Sequence, residues 1–145
     1  MTRQIFIAVT VWLGGCSASQ LDADLEYAFA KNQVLLNALV DGSICSTPTE
    51  VAHWVHRPQN TTTACIELMR KADVYGVGPD GLSGGIMVFM NKTSAVTTHK
   101  NLVFSRRPLS PLHKSLDEVP LGLQPYARAY RKMDVNWYIS FEYSS

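Results

Sequence analysis

The chain lacks most of the features that betray an activity at sight. Its charge is nearly balanced, 13 Lys and Arg against 12 Asp and Glu, which leaves neither a nucleic-acid footprint nor a polybasic membrane patch. No H-E-x-x-H pair, C-x-x-C pair or phosphate-cradling glycine loop occurs, so the spacing rules for zinc, redox and nucleotide sites are unmet. No metal site and no cofactor are expected. Internal repeats and low-complexity tracts are missing too, and cysteine is confined to Cys16, Cys45 and Cys65. The apolar run at the start covers only Ile5 to Leu13, whereas a permanent membrane-spanning helix takes about 20 residues. A retained transmembrane anchor is therefore not expected there.

What is present begins with that same run. Met1 to Gln4 carries Arg3 as its only charge, Ile5 to Leu13 is apolar, and Gly14-Gly15-Cys16 supplies small residues; this is the layout of an export signal. Leu13-Gly14-Gly15-Cys16 resembles the lipobox of bacterial lipoproteins. The resemblance implies that Cys16 receives diacylglycerol, that the chain is cut between Gly15 and Cys16, and that the new amine is acylated. Ser17 after the cysteine, where aspartate would retain the protein in the inner membrane, implies an outer-membrane anchor facing the periplasm. Several acyl chains on one cysteine give lasting attachment, because each buried CH₂ contributes about 0.8 kcal/mol. The alternative is an ordinary secretory signal cut near Ala18 or Ser19, which would release a soluble protein.

The resulting organisation is a signal peptide at 1–15, a lipidated cysteine with a short tether at 16–24, and one globular domain at 25–145, a suitable length for a single core. Losing Arg3 leaves 12 basic and 12 acidic residues. Their distribution is uneven: residues 22 to 50 hold five acids and Lys31, while residues 92 to 114 hold Lys92, Lys100, Arg106, Arg107 and Lys114 without an acid. Such asymmetry suits either a partner face or two stretches that neutralise one another. With Cys16 lipidated, Cys45 and Cys65 remain as an even pair in an oxidising compartment, which suggests a disulfide rather than two buried thiols.

The expected fold is mainly β: a small antiparallel sandwich-like domain with one N-terminal helix, an α+β arrangement being the alternative. Leu25, Phe29, Leu36, Leu39 and Val40 share a helical stripe, with Asp22 and Asp24 near its start and Gly42 after its end. Leu25, Tyr27 and Phe29 also alternate, so a hairpin turning at Lys31-Asn32 competes. Val51 to His56 and Thr61 to Leu68 are short β-prone runs separated by the turn-like Arg57-Pro58-Gln59-Asn60. Ile86 to Met90 and Ala95 to Phe104 suggest further strands, and Arg107 to Pro125, with four prolines, an irregular excursion. From Val135 to Tyr143 apolar and polar residues alternate most clearly, predicting a core-facing C-terminal strand.

Candidate chemistry is thin, and no catalytic residue is predicted. Gly81-Leu82-Ser83-Gly84-Gly85 satisfies G-x-S-x-G, yet a nucleophile elbow needs a strand before the serine and a helix after it. Here the strand-like Ile86 to Met90 follows, so a glycine-rich hairpin loop is expected. His53 and His56 would point to opposite faces of a strand, and Asp117-Glu118 reads as a solvated loop. Tyr138, on the polar side of the alternation, with Arg128 and Arg131 nearby, and the Arg106-Arg107 pair are the candidate contacts for a protein partner, since Tyr and Arg are enriched at interfaces. In general layout the chain looks like small immunity or inhibitor lipoproteins that neutralise effectors delivered into the bacterial envelope. An accessory structural lipoprotein of a secretion or pilus apparatus is the second expectation, and a small envelope hydrolase the third.

Overall fold

The computed structural model describes residues 20–90, 94–95 and 98–144. The expected signal peptide, the expected lipidation site Cys16 and the expected tether up to Ser19 lie outside the described residues. Within them the chain is mainly β, as expected, and antiparallel. Helix α1 (Asp22–Val40) is followed by β1 (His53–Trp54), α2 (Thr63–Lys71), β2 (Val74–Pro79), β3 (Ile86–Met90), β4 (Ser94–Ala95), β5 (Thr98–Phe104), β6 (Arg128–Asp134) and β7 (Trp137–Tyr143). The strands form one sheet in the order β1-β2-β3-β5-β7-β6, with β4 paired to β5. The layer packed against it is helical rather than a second sheet. The sandwich therefore gives way to the α+β alternative.

Leu25 to Val40 resolves as helix, and the competing hairpin leaves a trace. Asn32, at the expected turn, departs from helical geometry (φ −115°, ψ 15°) and kinks α1. The Leu21 N–H is held by Asp24 at 3.3 Å, and Gly42 (φ 80°) adopts the left-handed conformation just beyond the helix end, which glycine reaches without a Cβ penalty. Leu25, Phe29, Leu36, Leu39 and Val40 all enter the main core.

Thr61 to Leu68 corrects the expectation of a strand, because Cys65 sits in the first turn of α2. The Thr62 hydroxyl accepts from the Cys65 N–H at 3.2 Å, capping the helix. Cys65, Leu68, Met69 and Ala72 are buried at helical spacing, while Arg70 and Lys71 occupy the last turn, where cations favour the helix dipole. The Cys45–Cys65 disulfide is formed, with Cα atoms 4.9 Å apart and 20 residues of separation. It ties the segment that leaves α1 to α2.

The C-terminal strand forms as expected from Trp137 onward, whereas Val135 lies outside it and is exposed. Strand β7 lies between β5 and β6; Trp137, Ile139 and Phe141 face the helices in the main core, while Tyr138 faces the other side. Phe29 packs on Trp137 with ring centroids 5.4 Å apart, and the Trp137 indole donates to Asn37 Oδ1 at 3.0 Å. The second face has a core of its own: Met87, Val103, Tyr130, Tyr138 and Leu109. Leu109 belongs to the irregular excursion, which also sends Leu116 into the main core.

At the start of α1 lies a buried ionic junction. Lys100 of β5 is fully buried and donates to Asp22 Oδ1 at 2.8 Å and Asp117 Oδ1 at 3.2 Å. Asp22 Oδ2 accepts from the Leu116 N–H at 2.6 Å and Arg131 Nη1 at 3.0 Å, and the Asp22 N–H donates to Asp117 Oδ1 at 2.7 Å. Helix, sheet and excursion thus meet at a single carboxylate.

Candidate functional site

The cleft of interest opens where four chain segments converge: the end of α1 with Gly42, the Thr47–Thr49 turn, the β2–β3 turn leading into Ile86, and Phe104 with the residues after it. Its volume is about 520 Å³. Ile86 and Phe104, paired across β3 and β5, give it an apolar floor. Arg106 and Arg107 stand on its rim, both exposed.

Local bonding sets this arrangement. The Ser105 hydroxyl donates to the Arg107 carbonyl at 2.8 Å and accepts from the Arg107 N–H at 3.2 Å, closing a tight bend. The Ser105 N–H is anchored to the Asn136 carbonyl at 2.8 Å, so the bend is fixed to the β6–β7 turn. A Cβ on Gly84 would lie 2.6 Å from Arg107 Nη2, and one on Gly85 would collide with the Phe104 carbonyl. The glycine pair therefore lets the β2–β3 turn approach the arginine bend.

This settles the geometry of the G-x-S-x-G sequence. It connects strand to strand, as expected of a hairpin loop, and Ser83 donates to Asp80 Oδ2 at 2.5 Å while accepting from the Gly85 N–H at 3.1 Å. Its serine shapes the turn, and its glycines shape the cleft.

Charge in the cleft is net positive, Arg106 and Arg107 against Asp41. Neither Arg106 nor Arg107 makes an ion pair among the described residues. Asp41, the acid on the opposite wall, is already occupied: the Ser43 hydroxyl and N–H bond to its Oδ1 at 2.6 and 2.8 Å, and these bonds hold its carboxyl below the usual range. Two guanidinium forks above an apolar floor suit a carboxylate or phosphate carried on an apolar stem, because guanidinium matches the planar geometry of such anions.

The other candidate contacts sit elsewhere, and three corrections follow. Tyr138 is buried, 3 % exposed, because the excursion through Leu109 covers the face on which alternation placed it. Arg131 belongs to the ionic junction, bonded to Asp22 at 3.0 Å and Glu26 at 2.6 Å. Arg128 is half-buried and pairs with Glu142 at 2.9 Å and Asp80 at 3.1 Å. Burial disfavours its charge, but Glu142 and Asp80 outweigh burial and hold its pKa above the ordinary value. The candidate set thus divides into a surface pair, Arg106 and Arg107, and three residues that serve the interior.

His53 is buried, its Nε2 2.7 Å from the Ser46 carbonyl and its Nδ1 3.3 Å from the Thr61 hydroxyl, whereas His56 is exposed. No group of His, Cys, Asp and Glu suited to a metal occurs among the described residues. Asp117 and Glu118 are exposed and lie outside helix and strand, as expected of a solvated loop, and Asp117 also contacts Lys100 and the start of α1. Lys100 itself went unsingled by sequence reasoning. Its signal was parity: it alternates with Leu102 and Phe104 along β5 and so had to point inward.

No family model, no curated protein and no solved structure matches this chain.

Proposed function

We propose that the protein is a lipid-anchored periplasmic binding module of the immunity or inhibitor type, held to the outer membrane through Cys16 and acting without catalysis on an envelope-targeted effector. The observation that carries this reading is the arginine-rimmed cleft. An acidic side chain or loop of the partner would enter between Arg106 and Arg107 while its stem covers Ile86 and Phe104. Buried arginine contacts of this kind dominate interface energetics, often at about 2 kcal/mol or more each. The lipobox-like motif and the disulfide fit the same compartment.

The accessory-lipoprotein reading has one observation of its own. The irregular excursion exposes Leu112, Val119 and Leu121, and Tyr126 just after it is exposed as well; these are side chains of the sort that dock onto a larger assembly. The two readings use different surfaces and therefore separate by mutation.

The test is protection of cells co-expressing each effector encoded beside this gene. Wild type should protect; Arg106→Glu/Arg107→Glu should abolish protection and weaken effector binding at least a hundredfold, while Leu121→Ser should leave both intact. Labelled fatty acid should enter wild type but not Cys16→Ser. Protection by the double arginine variant would overturn the cleft as the binding site, and failure to label Cys16 would overturn the anchor.

A further inference from the structure

A second cavity, of about 180 Å³, opens on the opposite face of the sheet from the helices, lined from β2, β3, β5, β6 and β7. Participation of so many strands follows from curvature. A flat sheet would hold β2 and β6 about 19 Å apart across four strand spacings, yet Arg128 of β6 reaches Asp80, just past β2, at 3.1 Å. The strands curl around this face and enclose the space.

One wall is aromatic. The rings of Tyr75 and Phe89 are 5.8 Å apart, and Trp54 backs Phe89 at 4.8 Å. Trp54 fits because Gly76 beneath it has no side chain; a Cβ there would enter the indole. Burial pushes the Tyr75 hydroxyl pKa up.

The facing wall is polar and unfinished. Asn101 Oδ1 is buried and has no hydrogen-bond partner, a costly condition for an acceptor. Arg128 does not answer it, since its Nε bonds to Glu142 Oε2 at 2.9 Å and its Nη1 to both Asp80 oxygens at 3.1 and 3.2 Å. The Arg128 guanidinium is thus taken up by Glu142, which also lines the cavity, and by Asp80 beyond it. A group that completes this wall must donate hydrogen bonds, sit beside the Glu142 carboxylate, and rest against aromatic ring faces. A primary ammonium does all three: it has three donors and no acceptor, and cations are attracted to the faces of Tyr, Phe and Trp.

We propose that this cavity binds a primary ammonium group on an aliphatic stem, with Asn101 Oδ1 and Glu142 accepting its protons and the Tyr75 and Phe89 rings flanking the stem. The site is separate from the arginine-rimmed cleft and does not depend on it. An anion offers no donor to Asn101 Oδ1, and a neutral alcohol meets Asn101 without using the Glu142 charge or the rings.

Calorimetric titration of the full-length chain in detergent tests this with 1,5-diaminopentane, Nα-acetyl-lysine amide and 1-pentanol as probes. Both amines should bind at least tenfold more tightly than pentanol. Asn101→Leu should weaken amine binding at least tenfold and raise the melting temperature, because it replaces an unpaired acceptor with an apolar group. Glu142→Gln, which can keep an oxygen toward Arg128, should weaken it about fivefold. Tighter binding of the diamine would point to a free amine as the natural ligand, and tighter binding of the lysine derivative to a lysine side chain of a protein. Pentanol binding as well as the amines, no binding of either amine, or unchanged amine affinity in Asn101→Leu would overturn the proposal.

Discussion

Asp22→Ala should destabilise the domain by about 3–5 kcal/mol, the cost of leaving a buried charge without its partner. Lys100 is fully buried, and its remaining partner would be Asp117, whose side chain is 40 % exposed. The Leu116 N–H, now 2.6 Å from Asp22 Oδ2, would lose its acceptor as well. Loss of the carboxylate also removes an acid from the first turn of α1, a favourable position for negative charge. Arg131 fares better because it keeps Glu26 at 2.6 Å. Adding Lys100→Met should recover a substantial part of the loss, since replacing both members of a buried pair by apolar groups is often close to neutral. Equilibrium urea unfolding of the two single variants and the double variant measures the coupling. A single-variant loss below about 1 kcal/mol would mean the junction is not what holds helix to sheet.

The same junction gives the acid limb of stability a sign. The Asp22 N–H, with Lys100 beyond it, holds the Asp117 carboxyl below its ordinary range, although burial opposes them. A carboxyl whose folded pKa is depressed contributes stability above its unfolded value, near pH 4, and loses it as pH falls through the folded value. Unfolding free energy should therefore decline below about pH 4, and Asp117→Asn should make that decline shallower.

Opening the Cys45–Cys65 bond, by reductant or by Cys45→Ala/Cys65→Ala, should cost about 3 kcal/mol, the loop-closure value for a ring of this length. For a domain of this size that loss lowers the melting temperature by roughly 10 °C. The location argues for an effect at least this large. Both cysteines are fully buried, and the bond joins the segment beyond Gly42 to the first turn of α2, whose nine residues are too few to be stable as an isolated helix. Thermal melts monitored by circular dichroism, with and without reductant, check the value. Coincident melts would show that core packing alone positions α2.

Periodicity made much of this fold legible. The alternation from Val135 to Tyr143 predicts β7 and its inward face from Trp137 onward, and the even pair of cysteines points to the disulfide. Alpha-helix α2 was missed because Thr61, Thr62, Thr63 and Ile66 are β-branched, and that local preference hid the Cys65, Leu68, Met69, Ala72 stripe and the Thr62 cap. Tyr138 was misplaced for a tertiary reason: alternation assigns a residue to a face but does not say whether a distant loop covers that face. Sequence proximity sets Arg128 and Arg131 beside aromatic residues, whereas their carboxylate partners Asp80 and Asp22 lie far away along the chain. The cleft was legible only as an unbalanced run of basic residues. Its walls come from four separated segments, and no local pattern encodes their convergence.

The ionic lock on Asp22 also sets how far the domain can roam. On the lipid-anchored reading, only residues 17–21 separate the acylated cysteine from a residue fixed in the protein interior, a leash of about 20 Å at full extension. Such a leash confines the domain to a thin shell against the bilayer, and partner encounter becomes a search along a surface rather than through the periplasmic volume. Effectors approaching the membrane would meet this protein at a high effective concentration, and those remaining in the middle of the compartment would escape it. Lengthening the 17–21 segment would widen that zone without altering a single contact in the domain.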